Sequence, residues 1–141
     1  MKLAILIAGN KPDRKWKLAK QIGVNHLIVK LAPDLTGDLP PWDYESLARS
    51  QQVFRNEGFE IAGFEGDQFD MSRIKEGLPG REEDLDRYCR MIENMGKLGI
   101  PFYCYNFMAR NGWFRTVHGI KERGGALVSG FDLSHVRVAA G

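Results

Sequence analysis

The sequence has few of the features that would assign it to a specialised class of protein. Its 141 residues include only two cysteines, too few for the disulfide framework of a small secreted domain. The 20 basic and 18 acidic residues nearly cancel, so the charge gives no support for nucleic-acid binding, which needs a concentrated basic surface. The opening apolar run, residues 3–8, is too short to span a membrane. We therefore expect a globular protein with neither a nucleic-acid nor a membrane partner.

Motifs of nucleotide, nucleophile and metal chemistry are also missing. The first apolar run is followed by no Gly-x-Gly-x-x-Gly or P-loop, and no Gly-x-Ser-x-Gly elbow occurs. The three histidines, His26, His118 and His135, are scattered, without a His-x-x-x-His or Cys-x-x-Cys spacing. The sequence thus predicts no metal ligands and no catalytic residues in this chain. Cys89 and Cys104 are expected to be buried, reduced thiols, which fits the cytoplasm.

A unit of helix, glycine and apolar strand recurs along residues 1–109. The runs 3–8, 27–31, 59–64 and 102–107 are rich in apolar residues and predict four strands. Asp13 and Asp43 are predicted to cap the first two helices. A third helix follows Gly80 and ends before Gly99, with an apolar stripe at helical spacing, formed by Leu85, Tyr88, Cys89, Ile92, Met95 and Gly96. The order β-α-β-α-β-α-β indicates an α/β protein with a parallel sheet.

The pattern changes in residues 110–141. Two runs, 112–117 and 126–131, could form strands joined across Arg123-Gly124-Gly125, because Gly-Gly is a hairpin turn signal. We interpret this segment as a β-hairpin inserted after strand four, followed by a tail. The domain organisation expected is a single domain or partial barrel, with four βα-type units in residues 1–109 and the insertion in residues 110–141.

Polar residues follow the predicted strands at the edge where the carboxyl ends of parallel strands meet. They are Asn10, Lys11, Lys30, Glu65, Asp67, Tyr105 and Asn106. Such a set suits a polyhydroxylated or acidic ligand. Asn106 is the best candidate, because an unpaired amide at the end of an apolar strand would be unfavourable. Arg115 could hold a carboxylate through two parallel hydrogen bonds. The predicted substrate-binding residues are Tyr105, Asn106, Arg115 and Glu65.

Residues 82–116 resemble the mannonate dehydratases. The resemblance is carried by Tyr103-Cys104-Tyr105-Asn106-Phe107-Met108 and by Trp113-Phe114-Arg115-Thr116, and it extends more weakly back to Leu3. It implies half of a (β/α)₈ TIM barrel of the xylose-isomerase type, the N-terminal half, with the strands in order 1-2-3-4 and a hairpin after strand four. The alternative from the residues alone is a flavodoxin-like order 2-1-3-4, in which strands two and three do not pair.

The same resemblance implies a lyase of sugar-acid and glucuronate catabolism, which converts D-mannonate to 2-keto-3-deoxy-D-gluconate with Mn²⁺ or Fe²⁺. The family's metal ligands, His, Cys, His and Asp, lie on later barrel strands. Residues 1–141 alone are therefore expected to bind no metal and to be inactive. A sugar isomerase or epimerase on the same barrel, or a fragment without catalytic function, are the alternatives. Open sheet edges or the hairpin could support a homo-oligomer.

Overall fold

The computed structural model describes residues 2–7, 11–31, 39–109 and 114–136. The chain divides into two compact units, Met1–Phe107 and Met108–Gly141. Within the described ranges, none of the helices has the length and apolar character needed to cross a membrane.

The first unit contains a four-stranded parallel sheet. Its strands are β1 (Ala4–Ile7), β2 (His26–Val29), β3 (Glu60–Glu65) and β4 (Phe102–Cys104). They lie in the order β1-β2-β3-β4, and every neighbouring pair is parallel. The pairing of β2 with β3 excludes the flavodoxin-like order and confirms the partial TIM-barrel arrangement.

In the described part of this unit, four helices connect the strands. They are α1 (Arg14–Gln21), α2 (Tyr44–Asn56), α3 (Ser72–Glu76) and α4 (Arg81–Lys97). Asp13 caps α1 as predicted, because its Oδ1 accepts the backbone N–H groups of Lys15 at 2.8 Å and Trp16 at 3.1 Å. Asp43 precedes α2, but its side chain makes no capping hydrogen bond. Its Oδ1 lies instead 2.7 Å from Nη2 of Arg90, because α4 places a guanidinium beside it.

The core lies between the helices and one face of the sheet. Trp16 of α1 stacks on Phe54 of α2 with ring centroids 4.9 Å apart, and meets the edge of Phe59 at 5.5 Å. Strand residues of the same face, Leu27, Val29, Ile61 and Phe64, are buried in the same cluster. The apolar residues in and directly after α1 are divided between core and solvent, since Trp16 and Ala19 are buried whereas Leu18 and Ile22 are exposed.

The buried face of α4 differs from the predicted stripe. Cys89 is exposed and Cys104 is only half-buried, so the prediction of two buried thiols was wrong for Cys89. Leu85, Ile92 and Gly96 are exposed as well, whereas Met95 is buried as predicted. The other buried residues of α4, Asp84, Met91 and Asn94, lie outside the predicted stripe. Asp84 can be buried because Arg73 and Arg87 pair with its carboxylate. The Asn94 amide can be buried because it donates to the carbonyl of Trp42 at 3.0 Å.

Strand β4 ends at Cys104, earlier than the predicted end at Phe107. Cys104 pairs with Glu65, the last residue of β3. Beyond that pair, the described part of the sheet offers no neighbouring strand to continue the ladder. Tyr105 and Asn106 therefore lie in the loop that leaves β4, rather than within the strand.

The second unit contains the predicted hairpin. Its strands, β5 (Val117–Lys121) and β6 (Leu127–Gly130), are antiparallel and joined across Arg123–Gly125. The first strand begins later than the predicted start at residue 112, and residues 112 and 113 of the predicted strand lie outside the described residues. The pairing register shifts at Gly119, whose φ is 84°. As a result, Val117 pairs with Gly130 and Ile120 pairs with Val128, and these two partners lie on the same face of the hairpin.

Candidate functional site

The carboxyl ends of β3 and β4 bring two predicted site residues together. Glu65 is the last residue of β3 and pairs with Cys104, the last residue of β4. Asn106 lies two residues after Cys104. The Nδ2 atom of Asn106 donates to Oε1 of Glu65 at 3.5 Å, and both side chains are partly exposed. An amide that donates and a carboxylate that accepts stand side by side, which suits a ligand with several hydroxyl groups.

The turn after β3 is held by a network that the sequence did not reveal. Gly66 has a φ of 76°, and its N–H donates to the carbonyl of Cys104 at 2.9 Å. Its carbonyl accepts from the hydroxyl of Tyr103 at 2.9 Å and from Nε2 of Gln68 at 2.7 Å. The Oε1 atom of the buried Gln68 accepts the N–H of Leu31 at 2.8 Å, so this amide joins the ends of β2 and β3.

Asp67 was a rim candidate, and the structure gives it a different role. Its Oδ2 lies 2.5 Å from Nζ of Lys75, a lysine whose side chain is only 6% exposed. A nearly buried ammonium needs a counter-ion, so Asp67 serves Lys75. No sequence motif predicts this pairing. The two side chains meet only because of the path that the chain takes from β3 into α3.

Three tyrosines lie next to the rim. Burial raises the pKa of Tyr103 strongly, and the neighbouring Tyr88 adds to the shift. Burial is also the main cause of the raised pKa of Tyr88, with Tyr105 next in effect. The rings of Tyr88 and Tyr103 are 5.7 Å apart. Both phenols remain protonated at neutral pH, so they can donate hydrogen bonds but cannot serve as bases.

Tyr105 lines an aromatic groove rather than joining Glu65 and Asn106. The groove has a volume of about 320 Å³ and runs along α4 and β4, past Tyr88, Ile92, Phe102 and Tyr103. Tyr105 is 61% exposed. It therefore offers an accessible ring face beside the rim.

The other predicted rim residues are Asn10, Lys11 and Lys30, and Arg115 was predicted to bind a carboxylate. Lys11 and Lys30 are exposed, and Asn10 lies outside the described residues. Arg115 belongs to the second unit, where its Nη1 donates to the carbonyl of Phe114 at 2.9 Å. The structure thus brings Glu65 and Asn106 together, places Tyr105 in the neighbouring groove, and leaves the carboxylate-binding role of Arg115 as a prediction.

The described residues do not fit a metal centre. In residues 2–7, 11–31, 39–109 and 114–136, no three His, Cys, Asp or Glu side chains are grouped closely enough to hold an ion. Glu65 contacts an amide and Asp67 a lysine, so the two rim carboxylates already have partners.

Comparison with known proteins identifies one family. The profile of the family described as D-mannonate dehydratase (UxuA) matches residues 1–139. A mannonate dehydratase of Brachyspira hyodysenteriae is 32% identical over 117 residues, which cover 82% of this chain and 32% of that protein. Mannonate dehydratase 1 of Bacillus licheniformis is 36% identical over 94 residues, which cover 67% of this chain and 25% of that protein.

A solved structure agrees with these sequence matches. The crystal structure of mannonate dehydratase from Streptococcus suis serotype 2 superposes with a TM-score of 0.79 at 26% identity. The match covers 96% of this chain and 38% of that chain. The chain spans about a third of the length of the relatives that it matches.

Proposed function

Because the chain belongs to the D-mannonate dehydratase family, we propose that it forms part of the substrate-binding wall of an enzyme that dehydrates D-mannonate to 2-keto-3-deoxy-D-gluconate. The reaction removes a proton from the carbon next to the carboxylate and the hydroxyl group from the following carbon. The family match supports the reaction, and the rim at the ends of β3 and β4 supports the assignment of residues.

The observation that carries this assignment is the pairing of Asn106 with Glu65. A sugar acid presents hydroxyl groups, which donate and accept, and a carboxylate, which only accepts. The Asn106 amide can donate to either group. Glu65 can accept only from hydroxyl groups, since its own charge repels the substrate's carboxylate. The pair therefore favours the hydroxylated end of the substrate, and the carboxylate requires a cation such as Arg115.

The described residues are assigned to positioning rather than proton transfer. The raised pKa values keep Tyr88 and Tyr103 neutral, so neither removes the proton next to the carboxylate. The Mn²⁺ or Fe²⁺ implied by the family would belong to residues outside this set. With two thiols and a sugar-acid substrate, we place the activity in the cytoplasm.

Two measurements test the proposal. D-mannonate with Mn²⁺ is supplied to the complete protein that carries this segment, and 2-keto-3-deoxy-D-gluconate is quantified. We expect Asn106→Leu to lower kcat/KM by about 10- to 100-fold, because one or two hydrogen bonds of a charged or hydroxylated substrate are lost. The matched control is Asn25→Leu, because Asn25 is exposed at the opposite, amino end of β2.

Each alternative outcome has a distinct meaning. Absence of the keto-deoxy product would contradict the dehydratase activity. Conversion of a sugar to its ketose without loss of water would favour the isomerase. Full dehydration with an unchanged kcat/KM in Asn106→Leu would contradict the rim assignment while leaving the reaction intact.

A further inference from the structure

The side-chain amide of Gln68 is inserted between the chain segments that leave β2 and β3. Gln68 is only 7% exposed. Its Oε1 accepts the N–H of Leu31 at 2.8 Å, and its Nε2 donates to the carbonyls of Glu65 at 3.0 Å and Gly66 at 2.7 Å. The amide thus accepts from one segment and donates to the other, as a peptide group does between paired strands. Both of its N–H donors are used within the protein.

The peptide group that follows Glu65 is fixed at both of its polar atoms. Its carbonyl oxygen accepts from Gln68, and its N–H, which belongs to Gly66, donates to the carbonyl of Cys104 at 2.9 Å. The next carbonyl, that of Gly66, accepts from both Gln68 and Tyr103. Because two consecutive peptide groups are held in this way, the backbone sets the direction in which the Glu65 side chain leaves β3.

The same turn supports Asn106. A Cβ atom added to Gly66 would lie 3.7 Å from Nδ2 of Asn106, so the amide packs over the bare Cα of this glycine. From there it donates to Oε1 of Glu65 at 3.5 Å. A hydrogen bond of this length is at the limit of useful geometry, so a small shift of the turn would break it. The pairing of Asn106 with Glu65 therefore depends on how accurately the turn is placed.

We propose that Gln68 is a positioning residue of the substrate-binding rim. It fixes the place from which Glu65 accepts hydrogen bonds from the substrate's hydroxyl groups, and it keeps Asn106 beside that carboxylate. This role rests on the function proposed above, in which the pair binds the hydroxylated end of a sugar acid. A displacement of about 1 Å in a binding group can lower a rate about 100-fold, so a buried amide can control the reaction without touching the substrate.

The test compares two buried glutamines in the complete protein that carries this segment. Gln68→Leu removes the amide at the rim. Gln51→Leu is the matched control, because Gln51 is 5% exposed and its Nε2 donates to the carbonyl of Leu98 at 3.0 Å, just before the amino end of β4. Both changes leave a buried backbone group without its partner, so both should lower the free energy of unfolding.

A second variant covers the case in which Gln68→Leu folds poorly. Gln68→Glu keeps an acceptor for the Leu31 N–H but loses at least one of the hydrogen bonds donated to the carbonyls of Glu65 and Gly66. It therefore separates the tie to β2 from the placement of Glu65. Circular dichroism and denaturant unfolding of each variant establish that the protein assayed is folded.

The readout is the separate measurement of KM and kcat for D-mannonate with Mn²⁺. A smaller folded fraction lowers the apparent kcat but leaves KM unchanged, whereas a misplaced binding carboxylate raises KM. We expect KM to rise about tenfold in Gln68→Leu and in Gln68→Glu, because a hydrogen bond to the substrate is lost. In Gln51→Leu it should stay within about twofold of the parent value.

The variant Glu65→Ala shows whether Gln68 acts through this carboxylate. Alone, it should raise KM by about tenfold, for the same lost hydrogen bond. On this background Gln68→Leu should raise KM by less than about twofold more, because the side chain that it positions is gone.

The outcomes separate this role from the proposed function. An unchanged KM in both Gln68 variants, or a full further rise of KM in the double variant, would overturn the positioning role and leave the dehydratase activity intact. An unchanged KM in Glu65→Ala would overturn the rim assignment and the role of Gln68 together. A parent protein that forms no keto-deoxy product would overturn the proposed reaction and, with it, the role of Gln68.

Discussion

Phe102 of β4 lies directly over the bare Cα of Gly63 in β3. A Cβ atom on Gly63 would come within 2.8 Å of the Phe102 Cβ and would overlap the Phe102 carbonyl oxygen. Gly63 does not have a positive φ. This glycine is therefore required for the close approach of the two strands, rather than for an unusual backbone conformation.

The first prediction concerns this contact. We expect Gly63→Ala to lower the free energy of unfolding by about 1–3 kcal/mol, since the added methyl group forces β3 and β4 apart. Gly96→Ala is the matched control, because no atom outside its own stretch of helix lies within 4 Å of its added Cβ. In the helix interior that change should stabilise the protein by about 0.5–1 kcal/mol. Denaturant unfolding measures both, and equal shifts in the two variants would contradict the steric explanation.

Replacement of Gln68 tests the network at the strand ends. Gln68→Leu deprives the Leu31 N–H and the carbonyls of Glu65 and Gly66 of a partner. We expect a loss of roughly 3 kcal/mol in unfolding free energy, because buried polar groups are left unsatisfied. Hydrogen exchange at the Leu31 amide should accelerate more than global unfolding explains. The control is Gln52→Leu, at an exposed side chain of α2, which should change the free energy of unfolding by less than about 0.5 kcal/mol. Unchanged protection of the Leu31 amide from hydrogen exchange in Gln68→Leu would contradict the prediction.

The stability of the first unit should depend on Asp84 at acidic pH. The hydrogen bond from Arg73, with Nε 2.6 Å from Oδ2, is the main cause of the lowered pKa of this carboxyl group. A lowered folded-state pKa gives stability that is fully present above the ordinary value of about 3.9 and is lost as pH falls through the folded-state pKa. The midpoint of denaturant unfolding should therefore decrease as the pH is lowered below about 4.

The variant Asp84→Asn identifies this contribution. It should be less stable at neutral pH and should lose part of the acid-dependent decrease, because its amide does not titrate. Glu45→Gln, at an exposed carboxylate on α2, serves as the control. If stability decreased as steeply with falling pH in Asp84→Asn as in the parent protein, other carboxyl groups would account for the decrease.

The half-buried phenol of Tyr103 should limit stability at alkaline pH. Its raised pKa means that the folded state holds the proton more tightly than the unfolded chain. The contribution is fully present below the unfolded value of about 10 and is lost as pH rises above it. Tyr103→Phe should remove part of this alkaline decrease. At neutral pH it should cost only about 1 kcal/mol, since Gln68 still donates to the Gly66 carbonyl. Absorbance titration and unfolding between neutral and strongly alkaline pH measure both effects.

Much of the fold follows from local patterns in the sequence. Apolar runs and glycine stops indicated four parallel strands and their helices, because burial on both faces leaves a strand without polar positions. Asp13 was predicted correctly as a cap, because a cap depends on residues three positions apart. Gly124 and Gly125 marked the hairpin turn for the same local reason.

The strand-end rule also brought Glu65 and Asn106 into one candidate site, but other outcomes depended on contacts between distant parts of the chain. Cys89 is exposed and Asp84 buried because Arg73 and Arg87 neutralise that carboxylate, which reverses the sides that polarity alone assigns to α4. Gln68 gained its role only when folding brought Leu31 beside Gly66. Hydrophobic periodicity indicates which apolar residues are buried. Whether a polar group can be buried depends on the partner that the tertiary structure provides.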